Sequence, residues 1–194
     1  MSYTKQHLIE ARDVLNQIDD KVIDNIIEIL STLKQNRGRL FVLGVGGSAA
    51  NASHAVNDFR KLAGIETYAP TDNVAEITAR TNDEGWETIF SGWLRVSNFN
   101  SNDCLFILSV GGGDLIRKVS LNLCQAIDLA KEVGANIVGI VGKEDGYTHL
   151  HADECLVIPT VNPANITPHS ESFQALVWHL MVSHPNLKEN PTKW

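Results

Sequence analysis

Across residues 4–35 apolar side chains recur at three- and four-residue steps: Leu8, Val14, Leu15, Ile18, Val22, Ile26, Ile27, Leu30 and Leu33, with charges between them. That is the pattern of an amphipathic helix. Asp19 and Asp20 offer a cap in mid-run, so two helices with a break there are predicted. Their apolar stripe serves either core packing or an oligomer interface, and the sequence leaves both open. Asn36-Arg37-Gly38 ends the run.

The pattern then changes period. Residues 40–43 are uninterruptedly apolar and are followed by Gly44-Val45-Gly46-Gly47, which predicts a buried strand and a glycine turn. Ser48 stands at the N-cap position of a helix over 49–60. A short strand is predicted over 66–68, a helix over 74–80, a polar turn over 81–86 and a further helix through Phe90 and Trp93. Residues 103–110 form the clearest central strand, apolar on both faces. A second glycine turn, Gly111-Gly112-Gly113, leads to Asp114 as cap of a helix over 115–133. Strands over 136–141 and 155–159, a loop over 163–168, a helix over 169–184 and a loose polar tail over 186–194 complete the chain. Strands alternating with helices predict an α/β fold with a doubly wound parallel sheet, whose ligands bind beyond the carboxyl ends of the strands.

Composition narrows the class. A chain of 194 residues suits one domain, with residues 1–36 as a helical segment on it or in an oligomer interface. Hydrophobic and charged contents of 43% and 20% are those of a soluble globular protein. A net charge of −7 argues against nucleic acid as partner. Cys104, Cys124 and Cys155 are odd in number and widely spaced, as reduced cysteines of a cytoplasmic protein are. Neither a signal peptide nor a membrane span is visible, so a cytoplasmic location without membrane association is expected.

Two constellations carry chemistry. The first strand, glycine turn and helix would aim free amides and the positive helix end at an anion in front of Gly46, Gly47 and Ser48. A tight connection or a dinucleotide site could use the same turn, but Glu66 sits at the start of its strand rather than where a ribose acid should be. The second constellation pairs helices. His54 and Asp58 are four residues apart and share a face, which alone describes a surface ion pair as well as a metal site. Glu171 and His179, eight apart on the last helix, add a carboxylate and an imidazole. Such a set suits zinc or another divalent transition ion. His169 and Gln174 compete as ligands nearby, His184 belongs to the helix terminus, and Trp178 belongs to the core.

The stretch GVGGSAANASHAVNDF resembles the signature of the sugar isomerase (SIS) domain family, particularly the phosphoheptose isomerases, whose usual form is close to GNGGSAADAQHFAAEL. The likeness runs over essentially the whole chain, through TNDEGWETIF, the second glycine turn and GIVGKEDG. It implies a five-stranded parallel SIS fold and a homotetramer with active sites between subunits. It also implies conversion of sedoheptulose 7-phosphate to D-glycero-D-manno-heptose 7-phosphate for surface-polysaccharide heptose, with bound zinc.

Position by position, His54 matches the metal-ligand histidine, and Asp58 falls where the family has a catalytic glutamate. His179 matches the closing histidine, and Glu171 falls where glutamine is usual. Asp58 and His179 become the expected acid–base pair, and His54, Asp58, Glu171 and His179 the expected metal set. Asn82 and Asp83 match a pair that touches the sugar; Gly46, Gly47 and Ser48 match the first phosphate-side turn. The family's STSGNS loop reads Ser109-Val110-Gly111-Gly112-Gly113-Asp114 here. Ser109, Val110, Gly111 and Asp114 are thus the expected substrate contacts on that side, with glycine amides in place of hydroxyls. Asp114 is compatible with a phosphate only if Arg117 or Lys118 intervenes. Two rival readings are a non-catalytic SIS protein that binds a sugar phosphate or a protein partner, and an isomerase of another ketose phosphate.

Overall fold

A computed structural model describes residues 1–192. Five strands, β1 (Leu40–Leu43), β2 (Thr67–Tyr68), β3 (Cys104–Ser109), β4 (Asn136–Val141) and β5 (Glu154–Val157), form one sheet in the order β2-β1-β3-β4-β5. Every pairing is parallel. Leu43 pairs with Ile107 and Ser109 with Val141. The carboxyl ends of the three central strands therefore open onto one edge. β1 lies between β2 and β3, so the connections leaving β1 and β3 diverge there, and both glycine turns sit at that switch point.

Helices α1 (Tyr3–Leu15), α2 (Asp20–Gln35), α3 (Gly47–Lys61) and α8 (Ile166–Ser183) cover one face. Helices α4 (Val74–Asp83), α5 (Ile89–Val96) and α6 (Leu121–Val133) lie toward the other, with α7 (Tyr147–His151) on the β4–β5 connection. Strand side chains alternate accordingly. Leu40, Val42, Phe106 and Leu108 meet α2, α3 and α8, whereas Phe41, Leu43, Leu105 and Ile107 meet α5 and α6. α2 buries Ile23, Ile26, Ile27, Leu30 and Leu33, so its stripe packs the core. α1 buries only Glu10 and Val14. α4 buries nothing.

Several expectations need correcting. Ser48 does not cap α3. The helix begins at Gly47 with Gly46 (φ 64°) at the cap position and no side-chain cap bond, and Ser48 is buried in the first turn. The polar stretch from Thr81 belongs partly to α4, because Thr81 Oγ1 donates to the Ile77 carbonyl and the helix runs on to Asp83. The helix expected from residue 115 starts at Leu121 instead. Asp114 and Val119 exchange both backbone hydrogen bonds, at 2.9 and 3.0 Å, closing a tight turn that leaves Ile116 exposed. The tail is not loose as far as it is described: Leu187 is fully buried, and the amides of Glu189 and Asn190 donate to the Leu62 carbonyl. Residues 193–194 of that tail lie outside the described residues. None of the three cysteines forms a disulfide. Among the described residues, no helix is long and apolar enough to cross a membrane.

Candidate active site

α3 and α8 pack side by side, both starting at the carboxyl edge of the sheet. Asn51 fixes their alignment: its Nδ2 donates to the Glu171 carbonyl at 2.9 Å and to Gln174 Oε1 at 3.0 Å. Farther along this seam three expected residues converge. The donor atoms of His54, Asp58 and His179 all lie within 4.8 Å of one another. His54 Nε2 is 3.8 Å from Asp58 Oδ2, and His179 Nε2 is 3.7 Å from the same oxygen. Both separations are too long for hydrogen bonds. They are close to the spacing of neighbouring ligands around one ion bound at about 2.0–2.2 Å.

The tautomer of His179 sharpens the point. Its Nδ1 is 2.7 Å from the Ala175 carbonyl, which can only accept, so Nδ1 carries a proton. In the neutral ring, Nε2 then turns a lone pair toward a carboxylate oxygen. A cation or a proton between them relieves that juxtaposition. The side chain of buried Trp178 holds both rings, with His179 stacked on it at 3.5 Å and His54 edge-on at 4.6 Å. The other oxygen of Asp58, Oδ1, accepts from Asn57 Nδ2 at 2.8 Å. The donor set of two imidazoles and a carboxylate, orientation of His179 through its remote nitrogen, and the near-equal spacings together fit a divalent transition ion. The imidazoles are open: the side chains of His54 and His179 are 58% and 49% exposed.

Glu171 stands apart from this group. Its carboxylate lies against Gly47, where a Cβ would come within 2.5–2.7 Å of it. The α3 start expected to receive an anion thus faces a side-chain carboxylate. Asn82 and Asp83 occupy the last turn of α4, bonded to one another at 2.7 Å and exposed. Neither bonds to the triad or to a glycine turn.

At the second turn, Ser109 is buried and its Oγ accepts the Gly112 amide at 3.0 Å, so this hydroxyl shapes the loop. The Val110 carbonyl accepts from Gly142. Gly112 and Gly113 take positive φ, 73° and 88°, as only glycine does cheaply. Their carbonyls turn to α7, accepting from the amides of Thr148 and Tyr147. Asp114 accepts the Arg117 amide at 2.7 Å and pairs with its guanidinium at 3.4 Å. Arg117 does intervene at Asp114.

Sequence reasoning missed Asn51 and a second His/Glu group, His7, Glu10 and His169. Glu10 is buried and accepts from Gln6, Asn162, Asn165 and His169 at 2.7–3.1 Å. Those bonds hold its carboxyl down at about pKa 2, the Asn165 bond contributing most. With four donors on two oxygens, no lone pair is left for an ion. The group ties α1 to the start of α8, and nothing in the polar spacing of α1 signals it.

Comparison with known proteins agrees with the fold. The SIS domain family matches residues 6–142. A phosphoheptose isomerase from Trichlorobacter lovleyi is 30% identical over 182 residues, 91% of this chain and 87% of that protein. One from Aneurinibacillus thermoaerophilus is 28% identical over 191 residues, 93% and 91% of the two chains. The solved phosphoheptose isomerase of Neisseria gonorrhoeae superposes with a TM-score of 0.79 at 23% identity, covering 92% of this chain and 94% of that one.

Proposed function

The chain belongs to the SIS domain family, on its phosphoheptose isomerase branch, and we propose that it interconverts sedoheptulose 7-phosphate and D-glycero-D-manno-heptose 7-phosphate. The observation that carries the reading is the convergence of His54 and His179 on one oxygen of Asp58. Aldose–ketose exchange removes a proton from C1 of the ketose and draws electron density onto the C2 oxygen. Reprotonation at C2, with loss of the proton on the C1 oxygen, leaves the aldehyde. Asp58 suits the carbon proton, and His179 suits the oxygen proton while its Nε2 is free of the ion, since both carbons lie within reach of a pair this close. His54, Asp58 and His179 would hold the ion, zinc by its donor types, and bound there it would polarise the carbonyl.

One chain does not complete this site. Gly47 and Asp58 are eleven residues apart on α3, or about 16 Å along its axis. An extended seven-carbon sugar phosphate falls short of that distance. The imidazoles are half exposed, whereas an enediol intermediate needs shelter from water. Leu176 and Leu180 flank His179 and are 42% and 43% exposed, and α4, with Asn82 and Asp83, buries nothing. These unpartnered faces support a homotetramer whose sites lie between subunits, Asn82 and Asp83 reaching the sugar from a neighbouring chain. We place this enzyme in the cytoplasm, where its phosphorylated substrate is held.

Proton NMR of sedoheptulose 7-phosphate in D2O, with chelated protein and again after zinc addition, tests the reading. Zinc-dependent appearance of the aldose with deuterium at carbon is expected. Saturable binding without turnover would replace it by the non-catalytic reading, and turnover of another ketose phosphate alone would replace the substrate.

A further inference from the structure

The phosphate has no assigned counter-charge in the site so far described. Resting on the isomerase reading, we propose that Lys143, on the loop after β4, is the residue that neutralises the sugar phosphate, in a recess at the second glycine turn. The recess has a volume of about 90 Å³ and is framed by the backbone of Gly111, Gly113 and Gly146 with Lys143, Arg117 and the carboxylates of Asp114 and Asp145. That is room for a few waters or one phosphoryl group.

The charges lining it sort themselves by their partners. Arg117 is shared between Asp114 at 3.4 Å and Asp145 at 3.8 Å, so its charge and those of the two carboxylates are largely spent on each other. Lys143 is the one cation of the recess with no carboxylate within 4.0 Å among the described residues, and it is half-buried. Among the described residues the amides of Gly111, Gly113 and Gly146 donate to no backbone or side-chain acceptor, while the carbonyls of Gly112 and Gly113 are taken up by α7. Spare amide donors beside an unpaired ammonium suit an oxyanion, and lysine serves phosphate as a point charge where geometry is set by the backbone.

Wild type, Lys143→Ala and Lys143→Arg are compared by calorimetric titration with inorganic phosphate and by steady-state kinetics on sedoheptulose 7-phosphate. Loss of Lys143 should weaken phosphate about tenfold or more and raise KM similarly while leaving kcat near wild type, with arginine restoring both. Unchanged phosphate affinity and KM in Lys143→Ala would overturn the proposal even if the wild type turns over. Lys143-dependent phosphate binding by a protein that does not isomerise the sugar would instead overturn the isomerase reading and leave the anion site standing.

Discussion

Nε2 of His179 faces Oδ2 of Asp58 across 3.7 Å, with the histidine's other nitrogen already committed to the Ala175 carbonyl. Two electron-rich atoms held that close, on separate helices, favour a cation or a proton between them. Zinc and a proton in transit are both suited to that position, and chelation followed by metal restoration separates them. Dialysis against a chelator should abolish turnover, and zinc should restore it. Asp58→Asn should lose most of its zinc affinity in a competition titration with a chromophoric chelator, because the shared oxygen no longer carries charge.

Replacement of His179 should divide chemistry from binding. His179→Ala is expected to lower kcat by about 10²–10⁴-fold, the range for a proton-transfer group. Sugar-phosphate binding should persist, because the residues read as phosphate contacts lie on other loops. Calorimetry alongside the deuterium-exchange assay measures both, and equal loss of binding and turnover would remove His179 from the acid–base role.

If the site is shared between subunits as proposed, mixing should repair it. His179→Ala and Asp83→Ala homo-oligomers should each be inactive. Co-refolded mixtures should recover part of the wild-type rate, because some interfaces then pair an intact His179 with an intact Asp83. Sedimentation of the same mixtures gives the subunit count, and a monomer at assay concentration would refute the shared site.

Two of the three glycines of the first turn, Gly44 and Gly47, should respond differently to alanine. A Cβ on Gly44 would run into the backbone of Ser48 and Ala49, which cannot move without unmaking the start of α3. Gly44→Ala should cost about 3 kcal/mol in a urea titration. On Gly47 the obstacle is only the tip of Glu171, and alanine is the better helix former. Gly47→Ala should keep the wild-type melting temperature while displacing that carboxylate, with the effect appearing in KM.

Acid should release the link from α1 to α8. The carboxyl of Glu10 sits at about pKa 2 in the folded protein, below the value of about 4.3 for an unfolded glutamate. A depressed pKa contributes stability above the unfolded value, and that contribution drains away as pH falls from about 4.3 toward 2. Glu10→Gln should therefore be less stable than wild type at neutral pH. The gap should narrow through that window when urea midpoints are compared at pH 7, 5, 4 and 3.

Much of this was legible in the residues because burial on both faces leaves one reading. Residues 40–43 and 136–141 are apolar runs bounded by turn residues, and both form the strands expected. The last helix was readable from its own apolar run, stopped before Pro185, and the structure places it over Ile166–Ser183. The β3–α6 connection was not. Leu115, Ile116 and Val119 fall in helical phase, but they are exposed on a turn closed by Asp114 and Val119. Periodicity cannot distinguish an apolar side chain that packs from one left outside. Glu171 lies apart from the triad for a related reason: eight residues from His179 puts it on the right face but more than two turns away, beside Gly47.

Asn51 grips the backbone of Glu171 and the side chain of Gln174, and so sets where α8 stops along α3. A slip by one turn, about 5.4 Å, would carry His179 out of reach of Asp58, and it would also unseat buried Trp178 and break the His169–Glu10 bond. A smaller shift is enough to open the 3.7 Å approach of His179 to Asp58 while the apolar faces stay covered. Asn51→Ala can therefore melt close to the wild type with its activity lost, which a screen that reads only thermal stability would miss.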